Sequence, residues 1–178
     1  MGLIYFTSDL HLDHANIIKY CQRPFYSIGE MNAALIANWN ARVTPDDTVY
    51  LLGDFALTSR ERIAELRDAL NGSIVLVLGN HDRSAAAMRE CGFEEAHAAQ
   101  REMIGGRMVY MSHIPDYGIR GLHLCGHVHT DWKRYGDIIN VGVDQWNFRP
   151  VTLEELLAAE QTDMRGRETR RPVPGRGQ

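Results

Sequence analysis

Residues 76–82 read Leu-Val-Leu-Gly-Asn-His-Asp, and this stretch decides how the rest of the chain is interpreted. An apolar run at 74–78 stops at Gly79, and three polar residues that can bind a metal or move a proton follow it. Gly79 fits a sharp exit from a strand, because glycine adopts backbone conformations that strain other residues. The stretch therefore predicts a buried β-strand with reactive side chains at its carboxyl end.

The same pattern occurs twice earlier in the chain. An apolar run at 48–52 is followed by a glycine and Asp54, and a run at 3–6 comes shortly before Asp9 and His11. The carboxyl ends of parallel strands share one edge of an open sheet, which is where ligands bind. We therefore expect the polar residues after all three runs to lie together.

Strands and helices alternate through the first half of the chain. Hydrophobic periodicity predicts strands at 3–8, 48–52 and 74–78, and helices at 15–21, 27–43, 58–70 and 84–91. This order predicts an α/β fold with a parallel sheet and right-handed crossovers. The second half instead shows short strand candidates at 93–99, 101–104, 107–111, 122–125 and 137–141. A closing helix is predicted at 152–160.

Two short sequence patterns predict how particular elements begin or turn. Ser27 is followed three residues later by Glu30, which predicts a capping box at the start of the second helix. The pair Gly105-Gly106 separates two strand candidates, which predicts a two-residue hairpin turn.

Length and composition predict one domain at residues 1–160, followed by a tail. A chain of 178 residues can bury a sizeable core. Residues 161–178 are rich in Arg, Gly and Pro with little apolar content, so we expect them to be disordered. No apolar stretch is long enough to cross a bilayer, and residues 1–6 lack the basic start of a signal peptide. We therefore expect no membrane partner.

The three cysteines, Cys21, Cys91 and Cys125, are widely spaced, and no Cys-x-x-Cys motif occurs. They predict neither a disulfide framework nor a cysteine-based zinc site. A reducing compartment is the simplest environment for such a chain, so we expect a cytoplasmic protein.

The net charge of −4 is unevenly distributed. Residues 164–178 carry five Arg and one Glu, so the remainder of the chain is clearly acidic. An acidic body argues against general nucleic-acid affinity, which depends on neutralising phosphates. It suits a protein that holds divalent cations, and a nucleic-acid partner is possible but not favoured.

Several side chains of metal-binding or proton-transferring type follow the strand-like runs. They are Asp9, His11, Asp54, Asn80, His81, His113, His127 and His129. The pair His127-x-His129 is the strongest local signal, because alternate residues of an extended segment point the same way.

The order of these residues resembles the calcineurin-like metallophosphoesterase superfamily. Five blocks carry the resemblance: Asp9-x-His11, Gly53-Asp54, Gly79-Asn80-His81-Asp82, Ser112-His113 and Gly126-His127-x-His129. The resemblance implies a four-layer α/β/β/α sandwich, in which two β-sheets pack face to face with helices outside. The small size is similar to that of compact bacterial, archaeal or phage members.

The resemblance also implies two divalent metals. Asp9, His11 and His129 would hold one metal, Asn80, His113 and His127 the other, and Asp54 would bridge both. Mixed His, Asp and Asn ligation suits Mn, Fe, Zn or Ni, whereas all-oxygen sites suit Mg or Ca. We expect Mn, with Fe, Zn, Ni or Co as alternatives. Two metals about 3.5–4 Å apart can clamp both oxygens of an in-line displacement.

The implied reaction is attack of a metal-bound hydroxide on phosphorus, with His81 as proton donor to the leaving oxygen. Asp82 either orients His81 or caps the helix that follows it. In the family's protein serine/threonine phosphatases an Asp-Arg pair follows the bridging Asp by three and four residues. Leu57 and Thr58 stand there in this chain, which argues against a protein phosphatase and leaves the partner of His81 open.

Substrate-binding candidates are His14, Asn80 and Arg83. His14 could equally be an exposed loop histidine. Arg23 and Arg149 are further candidates, because Arg binds phosphate with two parallel hydrogen bonds. For all three arginines the alternative interpretation, a plain surface charge, is favoured.

The remaining polar and aromatic residues are interpreted as structural. Asn140 could help to orient a ligand, although a turn role is favoured. We predict that Trp39 lies in the core. His97 and His123 are assigned to structure, as are Trp132 and Trp146, which more simply pack under loops than stack on a base.

The sequence thus favours a phosphoesterase that hydrolyses a small or nucleotide-like phosphodiester, with a phosphomonoester as a second possibility. A nuclease of the same fold is the first alternative, but it needs a basic groove. A non-catalytic metal-binding scaffold is the second, but such a scaffold would not need His81.

Overall fold

The structure is a computed structural model that describes residues 2–161. Its strands are β1 (Ile4–Thr7), β2 (Thr48–Leu51), β3 (Ser73–Val77), β4 (Glu95–His97), β5 (Gln100–Ile104), β6 (Arg107–Met111), β7 (His123–Cys125), β8 (Arg134–Tyr135), β9 (Ile138–Asn140) and β10 (Val151–Thr152). Its α-helices are α1 (Ala15–Tyr20), α2 (Ile28–Asn40), α3 (Arg60–Asp68), α4 (Ala85–Glu90) and α5 (Leu153–Leu157). A 3₁₀ turn spans Val143–Gln145.

The strands form two five-stranded sheets, as an α/β sandwich requires. The first has the order β10-β1-β2-β3-β4, with β1 to β4 parallel and β10 antiparallel at one edge. The second has the order β5-β6-β7-β9-β8, with a parallel centre and antiparallel edges. The predicted fold class, α/β with two packed β-sheets flanked by helices, is confirmed, and both sheets are mixed.

The central strand β2 is buried on both faces, which explains its nearly continuous apolar sequence. Val49 and Leu51 pack in the core cluster that contains Trp39, the residue predicted to lie in the core. Tyr50 and Leu52 point the other way, into the cluster formed between the two sheets. Alternation of side chains along the strand thus joins the helix layer to the second sheet.

Two of the predicted local signals have different outcomes. The hairpin between β5 and β6 turns at Gly105 and Gly106, whose φ angles are 57° and 76°, as a two-residue turn of this kind requires. The capping box at α2 is only half formed. Ser27 accepts from the Glu30 backbone, but the Glu30 carboxylate accepts instead from the N–H of Tyr26 at 2.8 Å.

Gln161, the first residue of the predicted tail, contacts the described domain, and the predicted division at residue 160 stays a prediction. The Gln161 side chain exchanges two hydrogen bonds with the backbone of Gly136, both at 3.0 Å. The rest of the predicted tail, 162–178, lies outside the described residues. Within residues 2–161, the helices are all too short or too polar to span a membrane.

Candidate active site

The loops that follow β1, β2 and β3 meet at one edge of the first sheet. Asp9 donates its backbone N–H to the Gly53 carbonyl at 3.0 Å, and His11 donates to the Asp54 carbonyl at 2.9 Å. Asn80 lies in the third loop, and its neighbour His81 donates its backbone N–H to the Asp54 carboxylate at 2.9 Å. Parallel strand order therefore gathers these side chains as the sequence pattern predicts.

The second sheet brings three histidines to the same place. His113 follows β6, and His127 and His129 follow β7. The His127 backbone N–H donates to both carboxylate oxygens of Asp9 at 3.1 Å, which joins the edges of the two sheets. The seven predicted metal ligands thus lie together although they come from five separate loops.

Much of this backbone lies in the left-handed region that L-residues rarely adopt. Five of the seven predicted ligands have positive φ angles: Asp9 (58°), His11 (50°), Asp54 (55°), His127 (69°) and His129 (43°). Such conformations cost energy, and they persist where the surrounding structure enforces them, often at functional sites.

The Asp54 carboxylate occupies the centre of the cluster. Its Oδ2 lies 3.4 Å from Nε2 of His11 and 3.3 Å from Nε2 of His113. One oxygen therefore faces both predicted ligand sets, the position expected of a residue shared by two metals.

The other predicted ligands converge on either side of Asp54. Potential ligand atoms of Asp9, His11 and His129 lie within 4.8 Å of one another. On the other side, Oδ1 of Asn80 lies 3.0 Å from Nε2 of His113 and 3.1 Å from Nδ1 of His127.

The donor atoms fit divalent transition metals. Nε2 of His11 is buried and, among the described residues, has no hydrogen-bond partner. His113 donates from Nδ1 to the Leu52 carbonyl at 2.8 Å, which leaves Nε2 free to face the cluster. Metal-bound histidines commonly have the second ring nitrogen held in this way. An unpartnered imidazole nitrogen beside a carboxylate is the arrangement that a cation completes.

Burial and charge hold two of the predicted ligands, Asp54 and His11, in the protonation states that bind a cation. Burial alone would raise the pKa of Asp54, but the hydrogen bond and charge of His113 hold that pKa below its ordinary range. Burial lowers the pKa of His11 to about 3. An anionic carboxylate and a neutral imidazole are the forms that coordinate metals. Burial raises the pKa of Asp9, and a neighbouring cation would lower it again.

His129 is also held through its second ring nitrogen. Its Nδ1 donates to the Asp144 carboxylate at 3.0 Å. Burial would lower the pKa of His129, but the hydrogen bond to Asp144 raises it to about 10. Asp144 was not singled out by sequence reasoning, because it lies in an ordinary-looking turn after β9.

An open cavity of about 520 Å³ adjoins the predicted ligands. His81 is exposed in its wall, with ring centroids 5.3 Å from His11 and 6.0 Å from His14. His14 also approaches His11 through their Nδ1 atoms, at 3.2 Å. The structure thus places the predicted proton donor and one predicted substrate contact beside the ligands, facing the cavity.

The Asp82 carboxylate does not cap α4, the second of its two predicted roles, while its role in orienting His81 stays a prediction. It accepts hydrogen bonds from the backbone N–H groups of Gly79, Asp54 and Phe55, at 2.8, 2.9 and 3.0 Å. Ser84, not Asp82, caps α4 by accepting from the Ala87 backbone. Asp82 therefore fixes two ligand-bearing loops to each other.

The structure also shows where the three arginines considered as phosphate-binding candidates lie. Arg83 lies outside the cavity wall and donates to the Thr58 carbonyl at 3.1 Å, so the structure does not bring it to the predicted substrate. Arg149 pairs with Glu155 at 3.0 Å. The surface-charge interpretation is wrong for Arg23, whose guanidinium is buried.

The residues assigned to structure are buried or bonded within the fold. Asn140 donates to the carbonyls of His129 and Trp132, both at 2.9 Å, so it holds the loop that carries a predicted ligand. Trp132 and Trp146 are buried, which confirms packing. His123 is buried against the Ser112 hydroxyl at 2.8 Å, and the surface residue His97 bonds with Glu95 at 2.6 Å.

Comparison with known proteins gives relatives of similar length. The chain is 38% identical over 170 residues to an uncharacterized protein of Methanocaldococcus jannaschii, covering 88% of this chain and 90% of that protein. It is 29% identical over 197 residues to the Gene 66 protein of Mycobacterium phage L5, covering 88% and 93%. A solved structure of a protein of unknown function from Aquifex aeolicus matches with a TM-score of 0.72 and 26% identity, covering 88% of this chain and 98% of that chain.

The family model described as calcineurin-like phosphoesterase matches residues 2–156. This match covers both sheets and every predicted ligand. The predicted resemblance is confirmed: the chain belongs to the calcineurin-like phosphoesterase family and is a metal-dependent phosphoric ester hydrolase.

Proposed function

We propose that this protein hydrolyses a phosphodiester of a small or nucleotide-like compound at a dinuclear metal centre, with manganese as the preferred metal. The observation that carries the proposal is the position of Asp54, whose Oδ2 lies 3.4 Å from Nε2 of His11 and 3.3 Å from Nε2 of His113. A single carboxylate oxygen facing two ligand sets suits two closely spaced cations.

The two ligand sets divide around Asp54. Asp9, His11 and His129 would hold one metal, and Asn80, His113 and His127 would hold the other. When bound, the metals supply Lewis acidity to the phosphate and lower the pKa of water toward neutrality. The chain itself contributes the fixed ligand geometry and a proton donor.

His81 is the residue that we assign to proton transfer. Its backbone is held by the Asp54 carboxylate at 2.9 Å, while its ring is exposed to the cavity. It can therefore reach the leaving oxygen of a bound ester without giving up a ligand role. A general acid in this position contributes roughly 10²–10⁴ in rate.

The cavity favours an organic diester as the substrate. Its volume of about 520 Å³ is in the range of small-molecule sites. Ile17, Tyr20, Leu57 and Val128 line it together with the histidines and supply apolar surface. Asp131 also lines it, and this carboxylate repels the dianion of a monoester more strongly than the monoanion of a diester.

The test is an activity panel on the metal-reconstituted protein. It includes bis-p-nitrophenyl phosphate, p-nitrophenyl phosphate, 2′,3′- and 3′,5′-cyclic nucleotides and single-stranded DNA. We expect kcat/KM to be higher for bis-p-nitrophenyl phosphate than for p-nitrophenyl phosphate. A preference for the monoester contradicts the diester assignment, cleavage of DNA alone favours the nuclease, and metal binding without turnover favours the scaffold.

We also propose that the protein works in the cytoplasm. Cys21, Cys91 and Cys125 are all free thiols, which suits a reducing compartment. Cell fractionation with an antibody against the protein tests this, and recovery outside the cytosolic fraction contradicts it.

A further inference from the structure

Arg23 and Asp144 form a buried ion pair beside the predicted metal site. The two side chains are 0% and 2% exposed. Nε of Arg23 donates to Oδ1 of Asp144 at 2.8 Å, and Nη2 donates to Oδ2 at 3.0 Å, which is the two-bond fork of an Arg–carboxylate pair. Desolvation makes such a pair a poor source of stability, so its position calls for another explanation.

The remaining donors of Arg23 bind the loop after β1. Nη1 donates to the Leu10 carbonyl at 2.9 Å, and Nη2 donates to the Asp9 carbonyl at 2.7 Å. Asp9 has a left-handed backbone with φ of 58°. The guanidinium therefore helps to enforce a strained loop conformation that presents the Asp9 carboxylate.

Asp144 carries the same constraint to His129. Its Oδ2 accepts from Nδ1 of His129 at 3.0 Å, which leaves Nε2 of His129 facing Oδ1 of Asp9 at 4.0 Å. Two ligands of one predicted metal, far apart in the sequence, are thus fixed by a single buried arginine.

We propose that Arg23 and Asp144 are positioning residues that preorganise the metal site formed by Asp9, His11 and His129. This inference rests on the proposed dinuclear centre. Loss of the Arg23–Asp144 pair should weaken only this one metal site. In the other ligand set, His113 is held by the Leu52 carbonyl at 2.8 Å and not by Arg23. Carboxylates that orient metal-bound histidines act in this way in many metal sites.

The experiment is calorimetric titration of metal-free protein with Mn²⁺, for the wild type and Asp144→Asn. In the variant we expect one of two affinities to fall about 10- to 100-fold and the other to change by less than about threefold. Asp144→Asn leaves Arg23 partly unpaired, so a second variant, Arg23→Met/Asp144→Leu, removes both charges together. Apolar replacement of a whole buried pair is often neutral for folding. The double variant should show the same selective loss of one metal affinity and should still unfold in a cooperative thermal transition.

Glu155→Gln is the matched control. Glu155 accepts from Arg42 at 2.8 Å and from Arg149 at 3.0 Å, away from the site, so this variant tests loss of stability alone. It should leave both metal affinities unchanged.

Three results would overturn the inference. Equal losses at both sites, or none, in Asp144→Asn contradict a positioning role while leaving the dinuclear centre intact. Cys21 offers a direct alternative, because its sulfur and ligand atoms of His129 and Asp144 lie within 4.8 Å of one another. If Cys21→Ala lowers the same affinity as much as Asp144→Asn, both are metal ligands. A wild type without two binding events contradicts the proposed centre itself.

Discussion

The carboxylate of Asp82 accepts a hydrogen bond from the backbone N–H of Asp54 at 2.9 Å, so the loop after β3 holds the loop after β2 in place. The same carboxylate accepts from Phe55 at 3.0 Å and from Gly79 at 2.8 Å. Three backbone donors from two loops thus depend on one side chain. The central predicted metal ligand is therefore placed by a residue with no expected contact to metal or substrate.

Asp82→Ala should destabilise the fold and weaken metal binding together. Each partly buried N–H that loses its acceptor costs about 1–3 kcal/mol, so the free energy of unfolding should fall by at least that amount. Denaturant melts and Mn²⁺ titration measure the two effects. Asp131→Ala, at an exposed acid near the same cavity, is the control and should change stability little. Lost turnover with unchanged stability and metal content would instead make Asp82 a catalytic residue.

Asp54→Ala should lose metal from both sites. Its Oδ2 faces His11 and His113 from one central position, so the substitution removes a ligand from both predicted sets at once. We expect two Mn per chain in the wild type and less than one in the variant by elemental analysis after dialysis. His97→Ala, which alters a surface histidine bonded to Glu95, should retain both. Retention of one full equivalent in Asp54→Ala would show that Asp54 serves a single metal.

His81→Ala should keep both metals while turnover falls in a way that depends on the leaving group. An alkoxide such as a ribose oxygen needs a proton in the transition state, whereas p-nitrophenolate is already stable. The loss should therefore be roughly 10²–10⁴ on a nucleotide diester and clearly smaller on a p-nitrophenyl ester. The ratio of kcat/KM values measures this. Equal losses would mean that His81 positions phosphate, and loss of metal would make it a ligand.

Tyr20→Ala should weaken binding of aryl diesters with little change in the chemical step. Tyr20 is 72% exposed in the cavity wall, where its ring can stack on a flat substrate group. We expect KM for bis-p-nitrophenyl phosphate to rise about three- to tenfold with kcat nearly constant, as for an interaction present equally in ground and transition states. Tyr26→Ala supplies a comparison at a 99% exposed tyrosine outside the cavity. Matching effects at both positions would remove Tyr20 from the binding site.

Deletion of 162–178 should leave the melting temperature and turnover of small substrates nearly unchanged, because that segment has little apolar surface to bury. Deletion from Gln161 should cost slightly more, since it removes the two hydrogen bonds to Gly136. Thermal melts of the two truncated chains separate these effects. A large loss in the shorter deletion would show that residues beyond 161 pack on the domain.

The sequence predicted those features of the site that depend on local order. Asp54 and Asn80 each follow an apolar run and a glycine, and parallel strand order alone places such residues at one edge. The contacts of Arg23 with Asp144 and of Asp82 with Asp54 could not be predicted in the same way. They join residues that are distant in the chain or lie on different loops, and no spacing rule relates their positions. In the sequence, Arg23 cannot be distinguished from an ordinary surface arginine, and only the folded structure shows that it is buried.

The left-handed backbone at the predicted ligands also limits how this centre can change. Asp, Asn, His and Gly are the residues that tolerate positive φ most readily, whereas β-branched side chains do not. At Asp9, His11, Asp54, His127 and His129 the loops therefore accept only a short list of ligand types. Substitution among Asp, Asn and His is compatible with this backbone, and such substitutions could change which metal the site prefers. Ligands such as Thr would first require the loops themselves to be rebuilt.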